Sequence, residues 1–332
     1  MKKFLSILFS ALIAVSCLAL AGCGESNAKL KLGLGVVSGY GESKNADGDT
    51  KGSAVVSNTT AAVLVDKDGK IVKCAVDTVD AKVEFSSKGE LTAAADYKTK
   101  GELGTDYGMS KFGMVEWDVQ VDNFCKLVEG KTLDEVKAFV ANDGKGNTDV
   151  INAGCTIIIS DFVKAIEKAV NNAAESNATA KDTLSLAFIT KQEKASNASS
   201  DKSGSVDVTS SISAAALNAD KKVSALKSDS VSASIKFSLA GALETDKTKA
   251  PSSKRELGKN YGMSAYGTDL NGDSVVKEWF EQADVLDAAC IGKTADEIGA
   301  LVVNGYGVDS LKTAGCTIAI SDMVAAIVKA AK

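Results

Sequence analysis

The segment Ala153–Ala169 recurs as Ala314–Ala330 with thirteen of seventeen positions unchanged. A match this close, closing a long stretch each time, makes the chain two copies of one unit. Any fold must therefore be built twice from about half of the 332 residues, which is an ordinary domain size. Each copy ends on a small turn, a threonine, a short β-branched run and an amphipathic stretch: Ala153-Gly154-Cys155-Thr156-Ile157-Ile158-Ile159-Ser160-Asp161, then Ala314-Gly315-Cys316-Thr317-Ile318-Ala319-Ile320-Ser321-Asp322. The β-branched run predicts a strand end. Ser160 or Asp161 is expected to cap a helix that gathers Phe162, Val163, Ile166 and Val170 on one face. Asp161 and Asp322 read as caps rather than ligands.

A second motif is shared upstream. Glu102-Leu103-Gly104, Tyr107-Gly108-Met109-Ser110 and Gly113 match Glu256-Leu257-Gly258, Tyr261-Gly262-Met263-Ser264 and Gly267. Three glycines in so short a span imply a loop with left-handed turns. Glu116-Trp117 and Glu278-Trp279 follow and hold both tryptophans of the chain. Gly130-Lys131-Thr132 and Gly292-Lys293-Thr294 tempt a phosphate-loop reading. It fails, because Cys125 and Asp287 stand where that motif needs its first glycine. Thr132 with Glu135 and Thr294 with Glu297 instead spell capping boxes.

Between these motifs, strands are expected over 53–56, 61–65, 71–76 and 81–85, with Asp66-Lys67-Asp68-Gly69 as a hairpin turn. The second copy echoes them at 203–209, 213–217, 223–226 and 233–237. Residues 171–183 read as helix tail and linker. The fold class is α+β: two tandem homologous domains, 30–175 and 184–332, each a mostly antiparallel sheet packed with helices.

Composition narrows the chemistry. The chain has no histidine, which excludes a Ser-His-Asp triad and His-ligated metal or haem. It has no C-x-x-C pair, and its net charge of −5 lacks the basic domain of a nucleic-acid binder. Lys2 and Lys3 precede an apolar run from Phe4 to Gly22, the pattern of a secretory signal. Leu20-Ala21-Gly22-Cys23 resembles the lipobox of bacterial lipoproteins. That resemblance implies cleavage before Cys23, its lipidation, a tether over 23–29 and a location on the outer face of the cell membrane. Without the leader the chain holds 36 basic and 43 acidic residues. Cys74, Cys125, Cys155, Cys290 and Cys316 then remain, an odd set that reads as buried apolar thiols.

The paired threonine motifs resemble those of the FMN-binding domain family, whose members end in a Gly-Ala-Thr turn followed by an amphipathic helix. Gly154 and Gly315 match the family glycine, and Thr156 and Thr317 the threonine that carries the flavin. Cys155 and Cys316 stand where the family has alanine, and Ala153 and Ala314 where it has Ser or Thr. The resemblance implies FMN joined through its phosphate to each threonine, two per chain. The implied donor is FAD and the implied catalyst a separate ApbE-type flavin transferase. It also implies an electron carrier rather than an enzyme, like the two-copy flavinylated lipoproteins of Gram-positive extracellular electron transfer. Its partners would be a membrane electron donor and extracellular acceptors. Tyr107, Met109 and Trp117, with Tyr261, Met263 and Trp279, are the side chains suited to wall an isoalloxazine ring. Two other readings stand beside this one. One is a cofactor-free binding or adhesion lipoprotein; the other is a redox protein using Cys155 and Cys316.

Overall fold

The computed structural model describes residues 27–92, 97–266 and 276–332. The leader, Lys2, Lys3 and Cys23 lie outside the described residues, as does Gly267 of the glycine-rich motif. No helix among the described residues is long and apolar enough to cross a membrane.

The first repeat begins with a meander of β1 (Lys31–Gly39), β2 (Gly52–Val65) and β3 (Ile71–Phe85). Short helices follow: α1 (Lys100–Leu103), α2 (Trp117–Val128), α3 (Leu133–Lys137), α4 (Thr148–Asn152) and α5 (Ser160–Asn171). Then β4 (Ala174–Glu175) adds to the edge of β1, within the stretch expected to be linker. The second repeat runs β5 (Thr183–Ser196), β6 (Gly204–Leu217), β7 (Val223–Phe237), α6 (Lys254–Leu257), α7 (Trp279–Cys290) and α8 (Ala295–Gly299). A hairpin of β8 (Val302–Val303) and β9 (Tyr306–Gly307) leads to α9 (Asp309–Thr313) and α10 (Ser321–Ala330). The sheets have strand orders β3-β2-β1-β4 and β5-β6-β7, all antiparallel. The α+β class expected from the sequence is the one observed.

All four pairs of expected strands are single strands: 71–76 joins 81–85 in β3, and 223–226 joins 233–237 in β7. The runs 53–56 and 61–65 join through Ser57-Asn58-Thr59-Thr60 into β2, and 203–209 joins 213–217 into β6. Asn58, Thr59 and Ser210 between them do not break the strands because each bonds a side chain on a neighbouring strand or sheet. Thr59 Oγ1 meets Thr78 Oγ1 at 2.9 Å, and Asn58 Nδ2 donates to Ser210 Oγ of the other sheet at 2.9 Å.

Alternation along β2 explains its near-complete burial. Ala61, Val63 and Val65 face α2 and α5, while Ala62 and Leu64 face the second repeat. There they meet Phe188, Ile212, Ala214 and Ala216, so two sheets stack face to face with helices on both outer sides. Gly33 and Gly35 let α5 lie close on β1, since a Cβ at either would fall about 2 Å from the carbonyl oxygens of Ala169 and Ala165.

The interface repeats itself by exchange. Phe85 and Phe237, equivalent by register, stack at 4.3 Å and 6°. Ala46 N–H donates to Gly241 O and Ala198 N–H to Gly89 O, both at 2.8 Å. Leu91 N–H donates to Asn197 Oδ1 and Leu243 N–H to Asn45 Oδ1, both at 2.9 Å. Lys168 pairs with Glu256, and Lys329 with Glu102. Residue i meeting j while j meets i is the signature of a two-fold interface, here within one chain.

Candidate functional site

The first turn of α2 organises the first repeat's site. Glu116 ends extended at the helix N-cap, and its carboxylate accepts from Met109 N–H at 3.0 Å and Ser110 N–H at 2.9 Å. Hydrogen bonds from the Ser110 hydroxyl and these backbone groups hold its pKa below the usual carboxylate range. The glycine-rich segment, expected to be a loop, is α1 followed by two 3₁₀ turns, Gly104–Tyr107 and Met109–Phe112. Left-handed Gly108 and Gly113 punctuate them, and a Thr99–Glu102 capping box starts α1. The glutamate clamp thus fixes where Tyr107 and Met109 stand.

One turn further along α2, Gln120 holds the threonine. Its Oε1 accepts from Thr156 N–H at 2.8 Å and from Thr156 Oγ1 at 2.9 Å, while its Nε2 donates to Val115 O at 2.8 Å. Gln282 repeats this for Thr317 N–H at 2.7 Å and Oγ1 at 3.1 Å, adds Ile318 N–H at 3.1 Å, and donates to Lys277 O. Sequence reasoning stopped at Glu-Trp. The full shared signal is Glu-Trp-x-x-Gln, at 116–120 and 278–282.

Gly154 and Gly315 have φ of 92° and 96°, the left-handed conformation that glycine adopts without Cβ strain. They shape the turn before the threonine from behind. Gly154 is not among the residues that line the cavity beside Thr156. Cys155 and Cys316 are fully buried in the two helical cores. Burial raises the Cys155 thiol pKa and pushes Cys316 up to about 11. Both stay protonated near neutrality, as expected of buried apolar thiols, which leaves no thiolate there for redox chemistry.

The run Thr156–Ile159 is not a strand; its one pairing is a bridge between Ile158 and Lys145. Ser160 and Asp161 do not cap α5. Its N-cap is Ile159, and the entry is fixed by Ile159 and Ser160 N–H donating to Gly144 O at 2.9 and 3.0 Å. Freed from capping, Asp161 pairs with Lys164 at 2.9 Å and lines the cavity. The capping boxes at Thr132–Glu135 and Thr294–Glu297 form as expected.

These parts surround a cavity of about 960 Å³ lying wholly within the first repeat. Thr156, Tyr107, Met109 and Trp117 all line it, together with Phe112, Met114, Ile158 and Phe162. Opposite them the sheet offers a polar shelf of Ser38, Ser57, Thr59 and Thr78. Ser38 Oγ is buried and has no partner among the described residues, a hydrogen-bonding group on the wall of a ligand-sized space. Lys100 completes the wall. Its Nζ lies 5.4 Å from the Tyr107 ring centroid, 5.9 Å from that of Trp117 and 3.1 Å from Asp80. Burial pulls its pKa down, but Asp80 and Tyr107 outweigh that and leave it above the ordinary lysine value.

In the second repeat, Lys254 sits 5.2 and 5.4 Å from the Tyr261 and Trp279 rings, and Glu278 accepts from Met263 N–H at 3.0 Å. Tyr261 and Met263 pack on its helical core. Here the threonines part: Thr156 is exposed, whereas Thr317 is 7% exposed. No family model, curated protein or solved structure matches the chain.

Proposed function

We propose that this chain is a lipid-anchored extracellular electron carrier with FMN esterified to the threonine of its Gly-Cys-Thr turns. The observation that carries this reading is the convergence on one cavity of an exposed Thr156, an aromatic and methionine wall, and a polar shelf. A volume of about 960 Å³ lies at the upper end of small-molecule sites. A flat ring with one apolar and one hydrogen-bonding edge suits Tyr107, Met109 and Trp117 on one side and Ser38, Thr59 and Thr78 on the other. Bound there, the flavin supplies electron transfer; the chain supplies attachment, orientation and shielding.

Attachment is a phosphoryl transfer. The Thr156 Oγ–P bond forms as the pyrophosphate bond of FAD breaks, and AMP leaves with the bonding electrons. Gln120 is a neutral amide, so it positions the hydroxyl rather than removing its proton. The proton therefore passes to a base on the ApbE-type transferase. Cys23 would carry the membrane anchor, leaving the folded chain to exchange electrons between a membrane donor and outside acceptors.

Intact mass after co-expression with an ApbE-type transferase tests this. Covalent FMN is expected, with Thr156→Ala removing the first repeat's share entirely. An unmodified chain, beside a control substrate that is modified, would sink the proposal.

A further inference from the structure

The two threonine sites share a scaffold but not a doorway. Gly39 lines the first cavity and pairs with Ser57; Lys191 pairs with Thr209, the same register position in the second repeat. Strand β1 stops at Gly39, whereas β5 continues past Lys191 to Ser196. Asp161 lines the first cavity from the start of α5, and its counterpart Asp322 starts α10. In the second repeat Lys191 Nζ is bonded to Asp322. A lysine side chain therefore spans, from sheet to helix, the space that stays open above Thr156.

We infer that Lys191 is a strap that closes the second repeat, so that Thr156 is the working flavin acceptor and Thr317 is built but shut. This rests on the flavin reading above. The closed site is not decayed, since Gln282, Trp279, Tyr261 and Lys254 keep the arrangement of their counterparts. Nor is the strap there for stability. Its ends are 54% and 31% exposed, and such pairs add little to folding. What it supplies is a four-carbon stem and ammonium laid across a cleft. The first repeat could accept the same strap, because a Cβ at Gly39 would meet nothing within 4 Å.

The full chain is co-expressed with an ApbE-type transferase and each threonine peptide is weighed. We expect one FMN on Thr156 and little on Thr317. Lys191→Gly or Lys191→Ala should raise loading at Thr317 by about fivefold, the factor an exposed pair can hold. Gly39→Lys should lower loading at Thr156. Equal loading of both threonines in the unaltered chain would overturn the strap while supporting the flavin reading. Lower loading of Thr317 in Lys191→Gly would also overturn it, making Lys191 a ligand. If no flavin is attached, maleimide labelling of Thr156→Cys and Thr317→Cys decides the closure alone, against the unsubstituted chain as background. Slow labelling at 317 that Lys191→Gly accelerates supports the strap; equal rates at the two positions overturn it.

Discussion

The first repeat keeps apolar side chains where the second keeps charge, on the seam between sheet and long helix. Cys74 of β3 and Cys125 of α2 pack together in the first helical core. Contact with Cys125 and burial raise the Cys74 thiol well above its usual range. In the second repeat Asp287 occupies the position of Cys125, and Arg255 that of Gly101. Arg255 donates to Asp284 at 2.6 Å and to Asp287 at 2.8 Å, and also bonds Ser228 O. One backbone thus tolerates a thiol pair or an ion network at the same seam. The features fixed in both repeats are those the backbone requires: the capping boxes, the left-handed glycines, and the glutamate and glutamine that tie loop and threonine to the helix.

The sharpest way to break that comparison is to remove the arginine. Asp287 is 7% exposed, burial raises its pKa, and its Oδ1 has no partner among the described residues. Arg255→Met leaves that carboxylate buried and uncompensated, which should cost about 3–5 kcal/mol by thermal or denaturant melting. Adding Asp287→Cys, the first repeat's solution, should recover most of the loss; no recovery would mean the seams are not interchangeable. The sign with pH is definite. A carboxyl whose folded pKa lies above its unfolded value is least harmful when protonated. The Arg255→Met deficit should therefore shrink as pH falls toward the carboxylate range and grow above it.

A smaller effect separates the glutamines. Gln282 Oε1 serves three donors around a buried threonine, while Gln120 serves two around an exposed one. Gln282→Leu should cost about 1–3 kcal/mol, because its donors are left unpaired away from water. Gln120→Leu should cost less, since water reaches Thr156, but should lower flavin loading there. Equal destabilisation by the two would contradict the difference in burial.

Much of this was legible in the sequence, because turns and caps are local chemistry. Thr132 and Glu135 announce a capping box at fixed spacing, and Asp66 to Gly69 a hairpin, whatever surrounds them. Tyr107, Met109, Trp117 and Thr156, which line one cavity, stand out in the sequence as candidates because the motifs holding them occur twice. What was not legible depends on burial by distant chain. Asn58 and Ser210 read as strand breaks, since nothing local says that they bond to each other across two sheets. Cys155 next to the threonine looked like part of the site, yet the left-handed turn at Gly154 sends it into the core. The strap was hidden for the same reason: a lone lysine in a polar strand end carries no sign of its partner 131 residues away.

The smallest effect concerns the exchanged pairs that relate the repeats. Lys329–Glu102 and Lys168–Glu256 are partly exposed, so Lys329→Ala or Lys168→Ala should cost no more than about 1 kcal/mol. Their pH dependence is more informative than their size. Burial alone would raise the Glu102 pKa, but the Lys329 ammonium and Thr99 N–H outweigh it and hold the carboxyl below its usual 4.5. A depressed folded pKa gives stability that is present above 4.5 and is lost as pH falls through the folded value. Melting between neutral pH and the acid limb should therefore show a Lys329→Ala deficit that disappears on acidification. Glu102 also completes the capping box of α1, so Glu102→Gln should lose the ion pair yet keep a side chain able to accept from Thr99 N–H. A deficit for Glu102→Gln matching that of Lys329→Ala would assign the effect to the bond between repeats, and a clearly larger one to the cap within the first.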